Sequence, residues 1–372
     1  MPDAPSSANR RRRWLARLIV FFGAALLGLF AAELCARVLW RKETIIFPRY
    51  HTDATYGAYR LRRLRPNTTF QHTSADGTWL FRTNAQGFRD TRDWHYERTP
   101  GVLRILVLGD SHTQGFECAQ DATYSARLEQ RLAGLGIRSE VLNCGVSGLG
   151  TAEQLAFFEN EGARYRPDFV VLGWFANDPD DNVKSGLFSL RDGKLTAEKY
   201  EHLPGVNVLN SINGWVILRW LSEHSYFYSL LFNRVWEWRK GLLSQRTNAA
   251  VEYAGKPPAE AGAESSYPIE LSAALLARLH ASCRQAGARL IIADIPSYLD
   301  PQKAESSVPV PLLDRLRTGS EAYLPSKEWL APAPPQTDYF ARHGQHHISP
   351  AAHDLLAAAL AAQVSADSAQ RH

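Results

Sequence analysis

Residues 103–115, LRILVLGDSHTQG, set an unbroken apolar run of strand length directly ahead of a Gly-Asp-Ser turn. A run this apolar, bounded by glycine, suits a strand buried on both faces. Downstream, YSARLEQRLAGLG (124–136) has helical spacing, and the alternation then repeats. SEVLNCG (139–145) reads as a strand, TAEQLAFFENEGARY (151–165) as a helix and DFVVLGWFA (168–176) as a β-branched and aromatic strand. A further strand, ARLIIADIPS (288–297), follows a helix from Ile269 to Ala286. A last helix opens at Ser349-Pro350, with Ser as N-cap and Pro in the first helical position. Strands alternating with helices predict an α/β protein, a parallel sheet covered on both faces in three α/β/α layers.

Outward from this frame the pattern changes. Residues 43–100 are polar and aromatic, with turn signals at Pro66-Asn67, Asp76-Gly77 and Gln86-Gly87, and predict a β-rich lead-in with strands Thr68 to Thr73 and Thr78 to Thr83. The main domain is set at 101–366. Between about 183 and 268 the alternation breaks, and SINGWVILRWLSEHSYFYSLLFNRVWEWRK (211–240) predicts one or two amphipathic helices packed beside the sheet. Its aromatic stripe, Trp215 to Trp238, is read as helix packing rather than as a substrate platform. Gln245 to Ser266 is read as a loop.

Residues 1–42 form a basic tail and an apolar helix. Leu18 to Ala32 carries no charge, and extension from Trp14 to Trp40 adds only Arg17, Glu33 and Arg37. About 20 apolar residues cross a bilayer core. Arg17 can snorkel, Glu33 and Arg37 can pair four residues apart, and Trp14 and Trp40 suit the two interfaces. The cluster Arg10 to Arg13 outweighs Arg41 and Lys42, which predicts a single-pass anchor with a cytoplasmic N-terminus and a periplasmic or extracellular main domain. A cleaved export signal is the competing reading. The lack of a small-x-small site after the apolar run favours the anchor.

The chain has 372 residues, 45% of them hydrophobic, enough for a packed core, and a net charge of +4 with its excess near the start. That distribution gives no nucleic-acid groove. Four cysteines do not make a disulfide scaffold at this length. Cys118 and Cys144 are either a pair or two buried thiols.

The chemistry centres on Gly109-Asp110-Ser111-His112. A serine between a buried strand and a helix sits at the carboxyl edge of the sheet, where open α/β folds bind ligands. Thr113 excludes the G-x-S-x-G elbow of α/β-hydrolases. Three further blocks accompany it: NCGVSGLGT (143–151), WFANDPDDN (174–182) and HISPAAH (347–353). With GDSHTQG (109–115) these four resemble, in order, spacing and strand-end position, the blocks of the SGNH (GDSL-like) hydrolases over residues 103–363. The span, NAQGFRD (84–90) and the aromatic insertion resemble those of anchored bacterial members.

The resemblance implies a flavodoxin-like sheet, Ser111 as nucleophile and His347 as general base. It implies an oxyanion hole of Ser111 N–H, Gly148 N–H and the Asn177 amide, and no metal or cofactor. One departure stands out: where the family carries an Asp two or three residues before the histidine, this chain has Gln345 and Gly344. A Ser-His dyad, Gln345 or a carbonyl holding His347, or Asp338 folding in, are the readings left open. His346 is the alternative base. His353 is read as stabilising the last helix, His112 as lining the pocket or packing, and Asp110 as fixing the turn. Asp178, Asp181 and Asn182 are read as solvated loop residues, the alternative being that they shape the Asn177 loop. His343, His346, His347 and His353 lack the Cys or carboxylate partners of a metal site.

The expected function is a serine esterase, or an acyltransferase using the same acyl-enzyme, acting on an ester-bearing substrate such as an acylated, above all acetylated, envelope glycan. The rivals are a lysophospholipase-type lipid esterase and a catalytically impaired glycan-binding or scaffold protein.

Overall fold

A computed structural model of the protein describes residues 7–253, 266–343 and 345–369. Its chain order begins with α1 (Ser7–Leu39), β1 (His51–Tyr56), β2 (Tyr59–Leu64), β3 (Thr69–Ser74), β4 (Gly77–Arg82), β5 (Leu103–Gly109) and α2 (Ser111–Gln114). Then come α3 (Tyr124–Gly134), β6 (Ser139–Asn143), α4 (Thr151–Asn160), β7 (Phe169–Trp174) and α5 (Asp178–Ser185). The insertion holds β8 (Phe188–Arg191), β9 (Lys194–Ala197), β10 (Glu201–His202), α6 (Val206–Gly214), α7 (Val216–His224) and α8 (Tyr226–Tyr253). The chain closes with α9 (Ser266–Gln285), β11 (Arg289–Asp294), β12 (Ser297–Asp300), β13 (Lys303–Glu305), α10 (Val310–Thr318), β14 (Ala322–Leu324), α11 (Ser326–Leu330) and α12 (Pro350–Ala369).

Five parallel strands in the order β14-β11-β7-β5-β6 form the central sheet, as the alternating pattern predicts. Side chains of successive strand residues point to opposite faces. Leu106 and Leu108 of β5 therefore join Val170, Leu172 and Leu290 beneath α4, α9 and α10, while Ile105 and Val107 join Phe169, Val171 and Ile291 beneath α3 and α12. Ile105, Leu106 and Val107 are wholly enclosed, and each contributes about 1.5–3 kcal/mol by burial. Caps start the covering helices: Thr123 Oγ1 accepts from Ala126 N–H at the head of α3. Ser349 Oγ does the same from Ala352 N–H ahead of Pro350 in α12.

The lead-in is welded to this body. β1 and β2 form a hairpin to which β10 adds in parallel, and β3 pairs with β4. Ile45, Phe47, Tyr50, Leu64, Phe70 and Phe81 enclose Phe116, five residues after Ser111.

The insertion departs from the expectation. It opens with a hairpin, β8–β9, turned by Asp192 and Gly193 at positive φ, the backbone that an Asp-Gly pair favours. Three helices follow instead of one or two, and the segment read as loop from Gln245 stays helical to Tyr253. Residues 254–265 of that loop lie outside the described residues. The packing reading of the aromatic stripe fails for Trp215, Trp220 and Trp238, which are exposed.

Among the described residues, one helix, Arg11–Leu39, is long and apolar enough to cross a membrane. The four cysteines are free thiols, Cys118 buried and Cys144 half-buried.

Two expectations follow from the core. At Gly109 (φ +153°) a Cβ would stand 2.0 Å from Thr113 Oγ1 and 3.0 Å from the Gly173 carbonyl. Gly109→Ala should lower the unfolding free energy by about 2 kcal/mol or more in urea titrations; an unchanged midpoint would refute the crowding argument. The second concerns buried imidazoles. Burial lowers His112 from 6.5 to about 3 and pushes His353 well below its ordinary value. Between those values the unfolded chain binds more protons than the folded one, so stability is full above pH 6.5 and falls as the pH drops toward 3. His112→Asn should flatten that fall by about 1.4 kcal/mol per pH unit across this window, read as denaturation midpoints at successive pH values; parallel slopes in parent and variant would contradict it.

Candidate active site

β5 ends at Gly109, and the chain turns at once into α2. Asp110 Oδ1 accepts from His112 N–H at 2.9 Å and closes the turn; burial pushes the Asp110 carboxyl up to about 6. This is the turn-fixing role expected of it. Ser111 is thereby held at the carboxyl edge of the sheet.

The loop after β6 is drawn against α2. Gln114 Oε1 accepts from both Ser147 N–H (2.7 Å) and Ser147 Oγ (2.8 Å). Asn143 Nδ2 donates to the Thr113 carbonyl at 2.9 Å. Gly145 lies so near that a Cβ there would come within 2.4 Å of Gln114 N. Gly148 follows at φ +69°, and Arg62 from β2 donates to the Ser147 carbonyl beside it.

After β7, Asn177 caps α5, and its Nδ2 donates to Asp181 Oδ2 at 3.0 Å. Burial pushes Asp181 up to about 6. Asp178 accepts from Phe175 N–H (2.8 Å) and Thr151 Oγ1 (3.1 Å), while Asn182 Oδ1 accepts from Ala152 N–H at 2.8 Å. Asp178 and Asn182 are buried. They are therefore not solvated loop residues: together they bolt the Asn177 loop to α4.

His347 arrives from the far end of the chain. Its strand-like segment is pinned by a bridge between Phe340 and Ile348, and its Nε2 lies 2.8 Å from Ser111 Oγ. The ring packs against His112 and Phe116, each with centroids 4.7 Å away. His112, whose Nδ1 accepts from Ile348 N–H at 3.4 Å, is a packing residue. His346 turns away onto Tyr298, 4.0 Å between rings. His353 is fully buried, and its Nδ1 accepts from Tyr124 N–H at 3.2 Å, joining α12 to α3.

Asp338 does not fold in. It is paired with Arg342 at 2.6 Å on the surface and accepts from Gln302. Gln345 lines the cleft that holds Ser111 and His347. A different acid, overlooked in the sequence, stands close by. Glu117 is buried at positive φ, and its Oε1 lies 3.4 Å from His72 Nε2 on β3. Burial raises the Glu117 carboxyl, but His72 and the charge of His347 bring it below its usual value. The Phe116 ring stands 4.7 Å from both His72 and His347. The place of Glu117 six residues after Ser111 is its one local signal in the sequence; the partner on β3 is remote.

Ser111, Gly148, Asn177 and His347 line one cleft of about 570 Å³. Its lining also carries the charged residues Arg49, Arg62, Lys184, Arg239, Asp181 and Glu237, together with the apolar Phe116, Leu209 and Trp236. Among the described residues no group of three or more His, Cys, Asp or Glu could hold a metal ion.

No curated protein matches the chain. Several solved structures do, loosely. A lipase/acylhydrolase from Enterococcus faecalis is 15% identical over 72% of this chain and 97% of its own, with a TM-score of 0.36. The acetyl xylan esterase AlAXEase is 11% identical over 70% and 100%, with a TM-score of 0.38. LAE5, an alpha/beta hydrolase enzyme from the metagenome of Lake Arreo, Spain, is 16% identical over 72% and 96%, also at 0.38. Superpositions this loose carry no weight for function. The sequence profile of the GDSL-like Lipase/Acylhydrolase family, by contrast, matches residues 107–355, more than half of the chain and all four blocks. The chain belongs to that family, the SGNH hydrolases.

Proposed function

We propose that the protein is a serine esterase anchored by α1, with Ser111 as nucleophile and His347 as general base, that removes or transfers acyl groups, acetyl foremost, on envelope glycans. The observation that carries this is the 2.8 Å approach of His347 Nε2 to Ser111 Oγ in a cleft that also presents Gly148 and Asn177. Ser111 Oγ attacks the ester carbonyl carbon as its proton passes to His347 Nε2. The tetrahedral oxyanion accepts from Ser111 N–H, Gly148 N–H and the Asn177 side-chain amide. As the bond to the alcohol breaks, His347 returns the proton to the leaving oxygen. Water, or a second alcohol in a transfer, then repeats the attack on the acyl-enzyme. The arginines, lysine and carboxylates among the lining can hydrogen-bond the hydroxyls of a carbohydrate, and Trp236 offers a ring face for a sugar to pack on, which supports the glycan.

Glu117 acts in this scheme as a positioning residue. A carboxylate enclosed in protein acts on a nearby imidazolium far more strongly than it would in water. Its charge favours His347 in the protonated form that the attack creates, a service the family ordinarily takes from the Asp ahead of the histidine.

The arginine-rich start of α1 supports a cytoplasmic N-terminus and an active site on the far side of the membrane.

Treatment of the full chain with a fluorophosphonate should add one label to the parent and none to Ser111→Ala, with labelling of His347→Ala slowed at least about 10³-fold. Acetate release from acetylated oligosaccharides should follow the same pattern. A folded parent that takes no label would transfer the case to a glycan-binding role, and fatty-acid release without acetate release would favour the lipid substrate. Glu117→Gln should slow labelling and move the acidic limb of its pH profile downward, because a neutral amide no longer favours the protonated base. A slower reaction with an unmoved limb would reduce Glu117 to a packing residue.

A further inference from the structure

The apolar stretch of α1 ends at Ala32, and the next turn carries the contacts that tie the helix to the body. Glu33 accepts from Ser225 Oγ (2.7 Å), Tyr226 N–H (3.1 Å) and Phe227 N–H (3.0 Å), so it caps the N-terminus of α8. A carboxylate at a helix N-terminus is stabilised by the unpaired amides there. Arg37, bonded to Glu33 at 2.6 Å, donates to the His224 carbonyl at the end of α7 at 2.8 Å. The junction of α7 and α8 is therefore fixed at the level where the apolar span gives way to charge.

From that junction both helices present apolar side chains that no other described residue covers. Trp215 just ahead of α7 and Val216, Ile217 and Trp220 within it are 58–73% exposed. On α8, Leu231, Val235 and Trp238 recur at spacings of four and three and so share one face. A second stripe about a quarter turn round the helix, Tyr228, Phe232 and Trp236, is stacked in sequence with centroids 6.0 and 5.8 Å apart, and Trp236 lines the cleft. α8 is thus two-sided: one stripe packs on the body and the other has no protein partner in the described residues. Exposed apolar patches that continue into a membrane span, flanked by Trp and by Arg234 and Arg239, fit the acyl-headgroup boundary.

We propose that α7 and the outer stripe of α8 lie in the outer interface of the bilayer that α1 crosses, so that the cleft beside Trp236 is held next to the membrane surface. This rests on α1 being a retained span and is independent of the chemistry at Ser111.

The test uses the full chain in nanodiscs of phosphatidylethanolamine and phosphatidylglycerol, with Cys35→Ser removing the exposed native thiol. Spin labels are placed at Ile217→Cys and Val235→Cys, with Leu27→Cys in α1 and Leu135→Cys on α3's far end as references, both exposed in the fold. Power saturation then compares access of oxygen with access of a nickel chelate. The expected result is an oxygen-to-nickel ratio at 217 and 235 that approaches that of 27 and stands several-fold above that of 135. Ratios at 217 and 235 equal to 135, with 27 still lipid-like, would overturn the proposal while leaving the anchor intact. Low access to both reagents would also overturn it, naming a second copy or another protein as the occupant. A water-like ratio at 27 would remove the anchor, and the proposal with it.

Discussion

The geometry around Ser111 depends on how closely the end of β5 and the turn into α2 approach their neighbours. Gly109 lies under Thr113 and the Gly173 carbonyl of β7, and Gly145 lies against Gln114 N. Neither position has room for a Cβ. Because the backbones meet directly, one side chain, Gln114, can hold the Ser147 loop with both of its bonds to Oε1. Asn143 ties the same loop to α2 from the other side, and Gly148 is thereby brought into the cleft of Ser111. A larger residue at either glycine would push α2, and Ser111 with it, away from the Gly148 loop and from β7.

What could be read in advance was what neighbouring residues specify. The apolar runs of β5, β7 and β11 announce buried parallel strands by themselves, and three of the four blocks fall at the ends of β5, β6 and β7, whereas the fourth leads into α12 from a loop. Asp192-Gly193 was a legible hairpin signal that the aromatic run beyond it overshadowed. β2 was harder: YRLRRL reads as polar, yet Arg62 is buried because its guanidinium bonds to carbonyls of the Ser147 loop and of Pro204. Asp178 and Asn182 misled for the same reason. A polar side chain looks solvated until its partner, supplied by a helix folded elsewhere, is known.

His347 shows the same dependence on remote partners. No Asp precedes His347 at the family's usual spacing, and Asp338 is taken by Arg342. His347 is nevertheless set against Ser111, because His112 and Phe116 flank its ring and the Phe340–Ile348 bridge pins its backbone. On the proposed mechanism, Glu117 supplies the charge, and the flanking rings part of the orientation, that one aspartate supplies in other family members. This division also explains why the lead-in is part of the body. His72, which holds Glu117, and Phe47, which packs on Phe116, both belong to residues 43–100.

The insertion carries a constraint of a different kind. Glu33 fixes α8 to α1 at one end, and Trp236 places α8 at the cleft a few turns later, with the Arg49 guanidinium 5.9 Å from its ring. A helix advances 1.5 Å per residue and resists bending, so the distance from Glu33 to the cleft is set by α8 rather than by the chain between Trp40 and His51. A flexible tether would let the cleft sample every height above the membrane. With α1 crossing the membrane as proposed, a helix capped by Glu33 does not, and it leaves along its outer side an apolar stripe that no other described residue covers.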